Sequence, residues 1–143
     1  MPAIRIQNKE RPGGKPEKRF DLKDILAAIG ERVNKSRWRC RDLWVLARLN
    51  DHDGSYRIDR LKLSGEELTE MASNIHQTID GRFEARGEGA AKNPWLVIVA
   101  FDSSWFEVWS SKPWAIERVK TQLRDTTIIT NISGILSEPV KAR

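Results

Sequence analysis

The order of apolar and polar positions along the chain predicts five strands. Alternation of the two predicts a strand from about Trp38 or Leu43 to Leu49 and another over 56–63. The apolar run WLVIVAF predicts a strand over 95–101, and WFEVWS predicts its hairpin partner over 105–110. The run TTIITNI near the C-terminus predicts the last strand.

Helical spacing of apolar residues predicts three helices between these strands. Asp21 is a suitable N-cap for a helix that runs to about Val33 with its apolar residues on one stripe. Ser64 begins S-G-E-E, which fits a capping box, and helical spacing continues over 64–80. Pro113 falls in the first turn of a third helix, where proline is tolerated.

These elements predict an α+β fold. Over 55–132 they run β-α-β-β-α-β, the ferredoxin-like order, preceded by an extra helix and strand. We therefore expect a two-layer sandwich, in which an antiparallel sheet of about five strands carries the helices on one face. A chain of 143 residues is near the common domain size. We expect a single domain over 20–136 and a short C-terminal tail over 137–143.

Residues 1–19 are predicted to form a basic flexible tail. They contain three prolines and two glycines but few large apolar side chains, so they bury too little surface to offset the entropy of ordering. The chain has a net charge of +5. Residues 1–19 contribute 6 − 2 = +4 of it, which leaves 5 − 4 = +1 for the other residues. The tail is therefore the most basic part of the chain.

The register of the 95–110 hairpin determines which tryptophans face the core. If Phe101 pairs with Phe106 across a four-residue loop, Val99 lies opposite Val108 on the core face. The other sheet face, here called the second face, then carries Leu96, Ile98, Ala100, Trp105, Glu107 and Trp109. A slip of one residue would place Glu107 among the apolar residues, and burying an unpaired carboxylate is costly. We therefore expect the unslipped register.

The same alternation in the first hairpin predicts a mixed aromatic and charged surface. It assigns Leu43, Val45, Ala47, Leu49, Tyr56 and Ile58 to the core. It assigns Trp44, Leu46, Arg48, Arg57 and Asp59 to the second face. Aromatic residues interleaved with arginine are typical of surfaces that stack unpaired bases. The alternative is that the helix over 21–33 or a second copy covers the apolar residues of this face.

The motif SRWRCR places Arg37, Arg39 and Arg41 on one side of an extended chain, and Trp38 and Cys40 on the other. Three arginines at strand spacing fit contacts to successive phosphates. They fit equally a solvated edge strand, on which charge prevents association of sheet edges. Both interpretations stay open at this point.

Residues with catalytic chemistry are few. His52, between two aspartates in NDHDG, fits a general base or a metal ligand, and equally a polar hairpin turn in which Gly54 supplies the positive φ. Cys40 is the only cysteine and forms no internal disulfide, which favours a reducing, cytoplasmic compartment. One cysteine and two histidines fall short of the four ligands of a typical structural zinc site. We predict no catalytic residue, no metal and no cofactor.

The sequence thus predicts a non-enzymatic binding domain, either nucleic-acid-binding or a ribonucleoprotein accessory protein. Single-stranded nucleic acid or RNA is the favoured partner. No run is long enough to predict a membrane span. The candidate binding residues are Arg5, Lys9, Arg11, Lys15, Lys18, Arg19, Arg37, Arg39, Arg41, Trp44, Arg48, Arg57, Trp105 and Trp109.

The alternative is a protein–protein interaction module, oligomerising, adaptor, antitoxin or immunity-like, which uses the second face as an apolar interface. A homo-oligomer is compatible with this alternative. An enzyme that uses His52 or Cys40 ranks third.

Overall fold

One antiparallel sheet and three helices form the described part of the chain in the computed structural model, namely residues 2–7, 20–87, 93–123 and the backbone of 127–129. The strands are β1 Ala3–Gln7, β2 Arg37–Leu49, β3 His52–Ser64, β4 Ile75–Arg86, β5 Leu96–Phe101, β6 Trp105–Ser110 and β7 Thr127–Ile129. Their order in the sheet is β3-β2-β4-β5-β6-β1-β7. The helices are α1 Leu22–Ile29, α2 Gly65–Ser73 and α3 Pro113–Gln122, and a 3-10 turn over Glu31–Val33 follows α1.

The three helices pack on the same face of the sheet, which confirms the α+β class and the two-layer arrangement. Ile25 of α1, Leu68 of α2 and Val119 of α3 are fully buried in one core cluster with the apolar residues of the strands. Helix α1 lies between the other two and contacts both. It therefore covers the core face, and the prediction that it might cover the second face is wrong.

The part of the chain that the structure describes has seven strands where the sequence predicts five. One of the two additional strands is β4, because its apolar spacing also fits the second half of a helix. The helix that begins after the Ser64–Glu67 capping box ends at Ser73, and the chain continues as the 12-residue strand β4. Ile75 and Ile79, whose spacing from Leu68 and Met71 fitted a helix, lie on this strand instead, Ile75 buried and Ile79 half-buried. Because β4 pairs with β2 on one side and β5 on the other, it is a central strand. The ferredoxin-like order is not confirmed, since this strand adds a third β element between α2 and α3.

Part of the predicted flexible tail is also a strand. Ala3–Gln7 forms β1, which pairs with β6 on one side and β7 on the other. Ile4 and Ile6 alternate with polar residues and are 1% and 0% exposed. Burying these two side chains within the sheet supplies the apolar contact that the composition of residues 1–19 lacks as a whole. Residues 8–19 and 130–143, the latter with the predicted C-terminal tail, lie outside the described residues.

The β5–β6 hairpin adopts the slipped register that the sequence analysis rejected. Phe101 pairs with Trp105, and Val99 pairs with Glu107. A three-residue loop makes this possible, because Asp102 and Ser103 have φ values of 45° and 61°. The core face of β5 therefore carries Leu96, Ile98 and Ala100, whereas the second face carries Val97, Val99 and Phe101.

The physical reason for the slipped register is an ion pair. Glu107 is 0% exposed, and its Oε2 lies 3.1 Å from Nη2 of Arg5 on the neighbouring strand β1. The premise that Glu107 would be unpaired was therefore wrong, because its partner comes from the segment that was predicted to be flexible. The placement of Trp105, Glu107 and Trp109 on the second face is nevertheless correct.

The N-cap of α1 connects the helical layer to the central strand. Asp21 caps α1 as predicted, in a capping box with Asp24. Its carboxylate also accepts hydrogen bonds from the backbone N–H of Thr78 (2.9 Å) and from the Thr78 hydroxyl. This carboxylate thus positions α1 against β4.

The β2–β3 hairpin closes on a two-residue turn. Leu49 pairs with His52, and the turn residues Asn50 and Asp51 have φ values of 50° and 64°. Such a turn matches the twist of a hairpin, and asparagine and aspartate tolerate the conformation. Gly54 lies in β3, so the prediction that Gly54 supplies the positive φ is wrong.

No helix among the described residues combines the length and the apolar composition that crossing a membrane requires.

The buried ion pair predicts a large stability loss when one partner is removed. In Glu107→Gln the Arg5 guanidinium loses its carboxylate, and we expect unfolding to require roughly 3–5 kcal/mol less free energy. Replacing both partners, Arg5→Met with Glu107→Leu, should recover most of this loss, because no buried charge remains. Urea denaturation of the full chain measures both. Glu117→Gln is the control, since that carboxylate is exposed and pairs with the neighbouring Lys120. Equal losses in the control and in Glu107→Gln would contradict the account.

Candidate nucleic-acid interface

Seven basic residues on the second face of β2, β3 and β4 form a continuous surface, here called the basic patch. Its members are Arg37, Arg39 and Arg41 on β2, Arg60 and Lys62 on β3, and Arg82 and Arg86 on β4. The alternation predicted for SRWRCR is confirmed, since the three arginines of β2 are exposed while Trp38 and Cys40 are each 1% exposed. Strand periodicity therefore places these cations on one face, about 6.6 Å apart along each strand.

The strand register places like charges side by side. Arg41 pairs with Arg60 on β3 and with Arg82 on β4, so three guanidinium groups occupy neighbouring positions in one row. In the adjacent row Arg39 lies beside Lys62. Directly opposed like charges destabilise a sheet. Apart from the pairing of Arg82 with Glu84, this arrangement therefore lowers the stability of the folded state.

Glu84 is the acidic residue within the basic patch, and it is already paired. It lies on β4 beside Arg39, and its side chain is 5% exposed. Its Oε2 accepts a hydrogen bond from Nε of Arg82 at 2.5 Å, and its Oε1 lies 3.6 Å from Nη2 of Arg86. Asp42 and Asp59 are exposed next to Arg41 and Arg60, so the seven cations and three carboxylates of this region sum to 7 − 3 = +4.

Two adjoining grooves follow the basic patch. The larger has a volume of about 470 Å³ and is lined by Arg37, Arg39, Lys62 and Arg86, with Ser64 at one side. The smaller, about 230 Å³, includes Arg41 and Arg60. The two share Arg39 and Lys62, so the basic side chains of both grooves form one track across β3, β2 and β4.

Trp44 extends this surface along β2. Its indole N–H donates to the hydroxyl of Ser55 at 2.8 Å, and the guanidinium carbon of Arg57 lies 3.9 Å from the ring centroid. The hydrogen bond and the cation–π contact hold the ring of Trp44 against β3. The structure thus brings Trp44 and Arg57 together on the second face, as the sequence predicts.

Arg48 belongs to a separate cluster at the hairpin end of the same face. Its Nη1 lies 3.0 Å from Asp53, and Nε2 of His76 lies 3.1 Å from the other oxygen of that carboxylate. All three side chains are more than half exposed. The pKa of Asp53 is lowered, chiefly by the hydrogen bond from His76; desolvation opposes this shift, and the charge and hydrogen bond of Arg48 add to it. His76 lies on β4, and the prediction that it lies on a helix is wrong.

Trp105 and Trp109 lie at the other end of the second face, and their contacts differ from those of Trp44. The Trp105 ring stacks on Phe101 with centroids 5.5 Å apart, and Arg5 lies 4.4 Å from its centroid. The indole N–H of Trp109 donates to Glu107 at 3.4 Å. Both rings are half-buried, and β4 and β5 separate them from Trp44. The structure therefore does not unite the three tryptophans into one platform.

The remaining candidate residues divide into two groups. Arg5 is engaged with Glu107 and Trp105 within the fold. Lys9, Arg11, Lys15, Lys18 and Arg19 lie outside the described residues.

Sequence reasoning missed four members of the basic patch. Arg60 and Lys62 alternate with apolar residues in RIDRLKL, so their strand was predicted but their pairing with SRWRCR was not considered. Arg82 and Arg86 alternate in the same way in GRFEAR. This alternation was missed because the helix predicted over 64–80 covers the first half of β4.

Cys40 and His52 are the two residues that the sequence offers for catalysis. Cys40 is buried on the core face, and burial, with a smaller contribution from the charge of Glu84, raises its pKa to about 12. His52 is exposed at the start of β3, where its carbonyl accepts a hydrogen bond from the hydroxyl of Tyr56. Within the described ranges, no three His, Cys, Asp or Glu side chains are grouped so that they could hold a metal ion.

The raised pKa of Cys40 predicts an inert thiol. At pH 8 only about one molecule in 10⁴ would carry the reactive thiolate, and the sulfur is buried as well. We expect iodoacetamide to leave the folded chain unmodified over a period that fully modifies the chain in urea, as measured by mass spectrometry. Equal labelling of the folded and unfolded chains would contradict the placement of Cys40.

Comparison of the chain with protein-family models, with curated proteins and with solved structures finds no match.

Proposed function

We propose that this chain is a non-enzymatic binding domain that holds single-stranded nucleic acid or RNA on the second face of its sheet. The observation that carries the proposal is the row of Arg60, Arg41 and Arg82 on three neighbouring strands. Their mutual repulsion is a cost to the fold, and a bound polyanion would relieve it.

The phosphate backbone is assigned to the basic patch. Arginines 37, 39 and 41 follow one another along β2 at about 6.6 Å, so each can contact a successive phosphate of an extended strand. Arg37, Arg39 and Arg41 are exposed, so their guanidinium groups are accessible to phosphate oxygens.

Base stacking is assigned to Trp44 and Arg57. The pair lies on the same face as the basic patch, on the same two strands, so a chain that follows β2 passes from phosphate contacts to an aromatic ring. Every base has a π-face, which makes stacking of this kind tolerant of sequence. Trp105 supports stacking less well, since Phe101 and Arg5 already contact its ring.

The alternative of an apolar protein interface on the second face has lost its main support. It relied on Leu96, Ile98 and Ala100, which lie in the core. Val97 and Val99, which take their place on the second face, are only 2% and 1% exposed. No observation favours this alternative over nucleic acid.

Removal of two phosphate contacts should change how binding depends on salt. We expect Arg39→Gln with Lys62→Gln to weaken binding of a mixed-sequence single-stranded oligonucleotide. The slope of log K against log salt should decrease in magnitude by about 1.4, at roughly 0.7 for each lost contact. Fluorescence titration at several salt concentrations measures it.

The matched control removes the same charge from the helical side of the sheet, with Lys23→Gln on α1 and Lys120→Gln on α3. This control should keep nearly all of the affinity and the original slope. If both double variants lose the same affinity, binding depends on net charge alone and the assignment to the basic patch is wrong.

Substitution of Trp44 should weaken binding without changing its salt dependence. Loss of one stacked base costs about 1–3 kcal/mol, so we expect Trp44→Leu to bind the oligonucleotide roughly 5- to 150-fold more weakly at an unchanged salt slope. Trp114→Phe on α3 is the control and should bind as the unmodified chain does. Unchanged affinity in a correctly folded Trp44→Leu variant would remove stacking at this position from the proposal.

A further inference from the structure

Strand β3 is an outer strand of the sheet with an incompletely covered apolar side. Among the described strands it pairs with β2 alone and stands last in the strand order. Its core-side residues Tyr56, Ile58, Leu61 and Leu63 pack against the core but stay only half-buried. A 13-residue strand of this kind presents a long row of backbone donors and acceptors at the sheet edge.

A second copy of the same strand can pair with this edge only in certain registers. In an antiparallel edge every second residue directs both its N–H and its C=O outward. Two identical strands therefore pair residues of the same parity, and the twofold axis that relates them passes through a residue. The candidate axes lie at the residues near the middle of β3.

Charge selects one of these axes. An axis at Arg57, Asp59 or Arg60 would oppose that residue to its own copy. An axis at Tyr56 would oppose Asp59 to Asp53, and an axis at Leu61 would oppose Arg60 to Lys62. All of these oppositions are between like charges and destabilise pairing.

An axis at Ile58 has the opposite effect. It places Arg57 of each copy directly across from Asp59 of the other, which gives two symmetric pairs of opposite charge. Ile58 meets its own copy at the centre, and apolar contact there covers both half-buried side chains.

The length of the strand favours the same axis. β3 extends over His52–Ser64, and Ile58 is its midpoint. The register with the best charge pairing is therefore also the register in which all 13 residues of both strands overlap. Two independent features of the sequence thus agree on one arrangement.

We infer that the edge of β3 is a dimerisation surface, and that two copies of this chain pair along it through a twofold axis at Ile58. The two sheets become one continuous antiparallel sheet. The axis is perpendicular to the sheet, so the second faces of both copies point to the same side. The inference stands on β3 alone and goes beyond the proposed binding of nucleic acid.

The dimer would also fix the positions of the two basic patches relative to each other. The patch begins at Arg60 and continues away from Ile58 toward Ser64, so the patches of the two copies lie on opposite sides of the axis. Residues three positions from the axis are about 20 Å from their own copies. One nucleic-acid strand of sufficient length would then contact both patches.

A cysteine on the axis provides the sharpest test. Opposed residues of an antiparallel pair have Cα atoms about 4.5–5.5 Å apart, and this separation is within the range of a disulfide. We expect full-length Ile58→Cys to form a disulfide-linked dimer under mild oxidation, without nucleic acid, as read by non-reducing electrophoresis. Leu61→Cys is the matched control, because it is half-buried on the same side of β3 but about 20 Å from its own copy. Absence of the link at position 58, or equal linking at both positions, would overturn the inference.

Exchange of charges tests the same register without a covalent bond. We expect analytical ultracentrifugation of the full chain to show a dimer, and Asp59→Arg to shift it to monomer because Arg57 then faces arginine. Exchanging both residues, Arg57→Asp with Asp59→Arg, should restore the dimer. Glu117→Arg on α3 adds the same charge and should leave the dimer intact. A chain that is monomeric throughout, or a dimer that persists in Asp59→Arg, would overturn the inference whatever the outcome of oligonucleotide titrations.

Discussion

A buried ion pair between Arg5 and Glu107 determines how the sheet is assembled. A carboxylate that is 0% exposed requires a partner, and Arg5 reaches it only when β1 lies directly beside β6. The pair thereby holds the N-terminal segment in the sheet between β6 and β7. It also permits the hairpin register that directs Leu96 and Ile98 into the core. A single interaction therefore explains both the position of β1 in the sheet and which side chains of β5 point into the core.

The two faces of the sheet have separate roles as a consequence. The core face receives the apolar side chains of every helix, whereas the second face receives arginine, lysine and tryptophan together with Val97, Val99 and Phe101 of β5. At the β5–β6 end the charges and rings satisfy one another, through Glu107, Arg5 and Trp105. At the β2–β3–β4 end this compensation is incomplete, since Glu84 pairs with Arg82 and Arg86 but Arg41 has arginine on both sides. That end is where we propose that an anionic ligand binds.

Local signals in the sequence were sufficient for the first hairpin, for the N-caps at Asp21 and Ser64 and for the alternation of SRWRCR. They were not sufficient where a distant partner decides the outcome. Ile75 fits a helix as well as a strand, and only its pairing with β2 distinguishes the two. The burial of Glu107 depends on Arg5, which is 102 residues away in the sequence, and no local pattern indicates that the two residues pair. The basic patch was missed for the same reason, because it forms only when β4 lies beside β2.

The most direct test of the account is an NMR titration of the isotopically labelled full chain with a single-stranded oligonucleotide. The six tryptophan indole N–H groups and the amides of β2, β3 and β4 report on separate regions of the sheet. The account predicts large shifts for the Trp44 indole and for amides near Arg39, Lys62 and Arg82, with little change at the buried Trp38 and Trp95 indoles or on α1. Shifts confined to the helical layer, or none at saturating oligonucleotide, would contradict the claim that the second face is the binding surface.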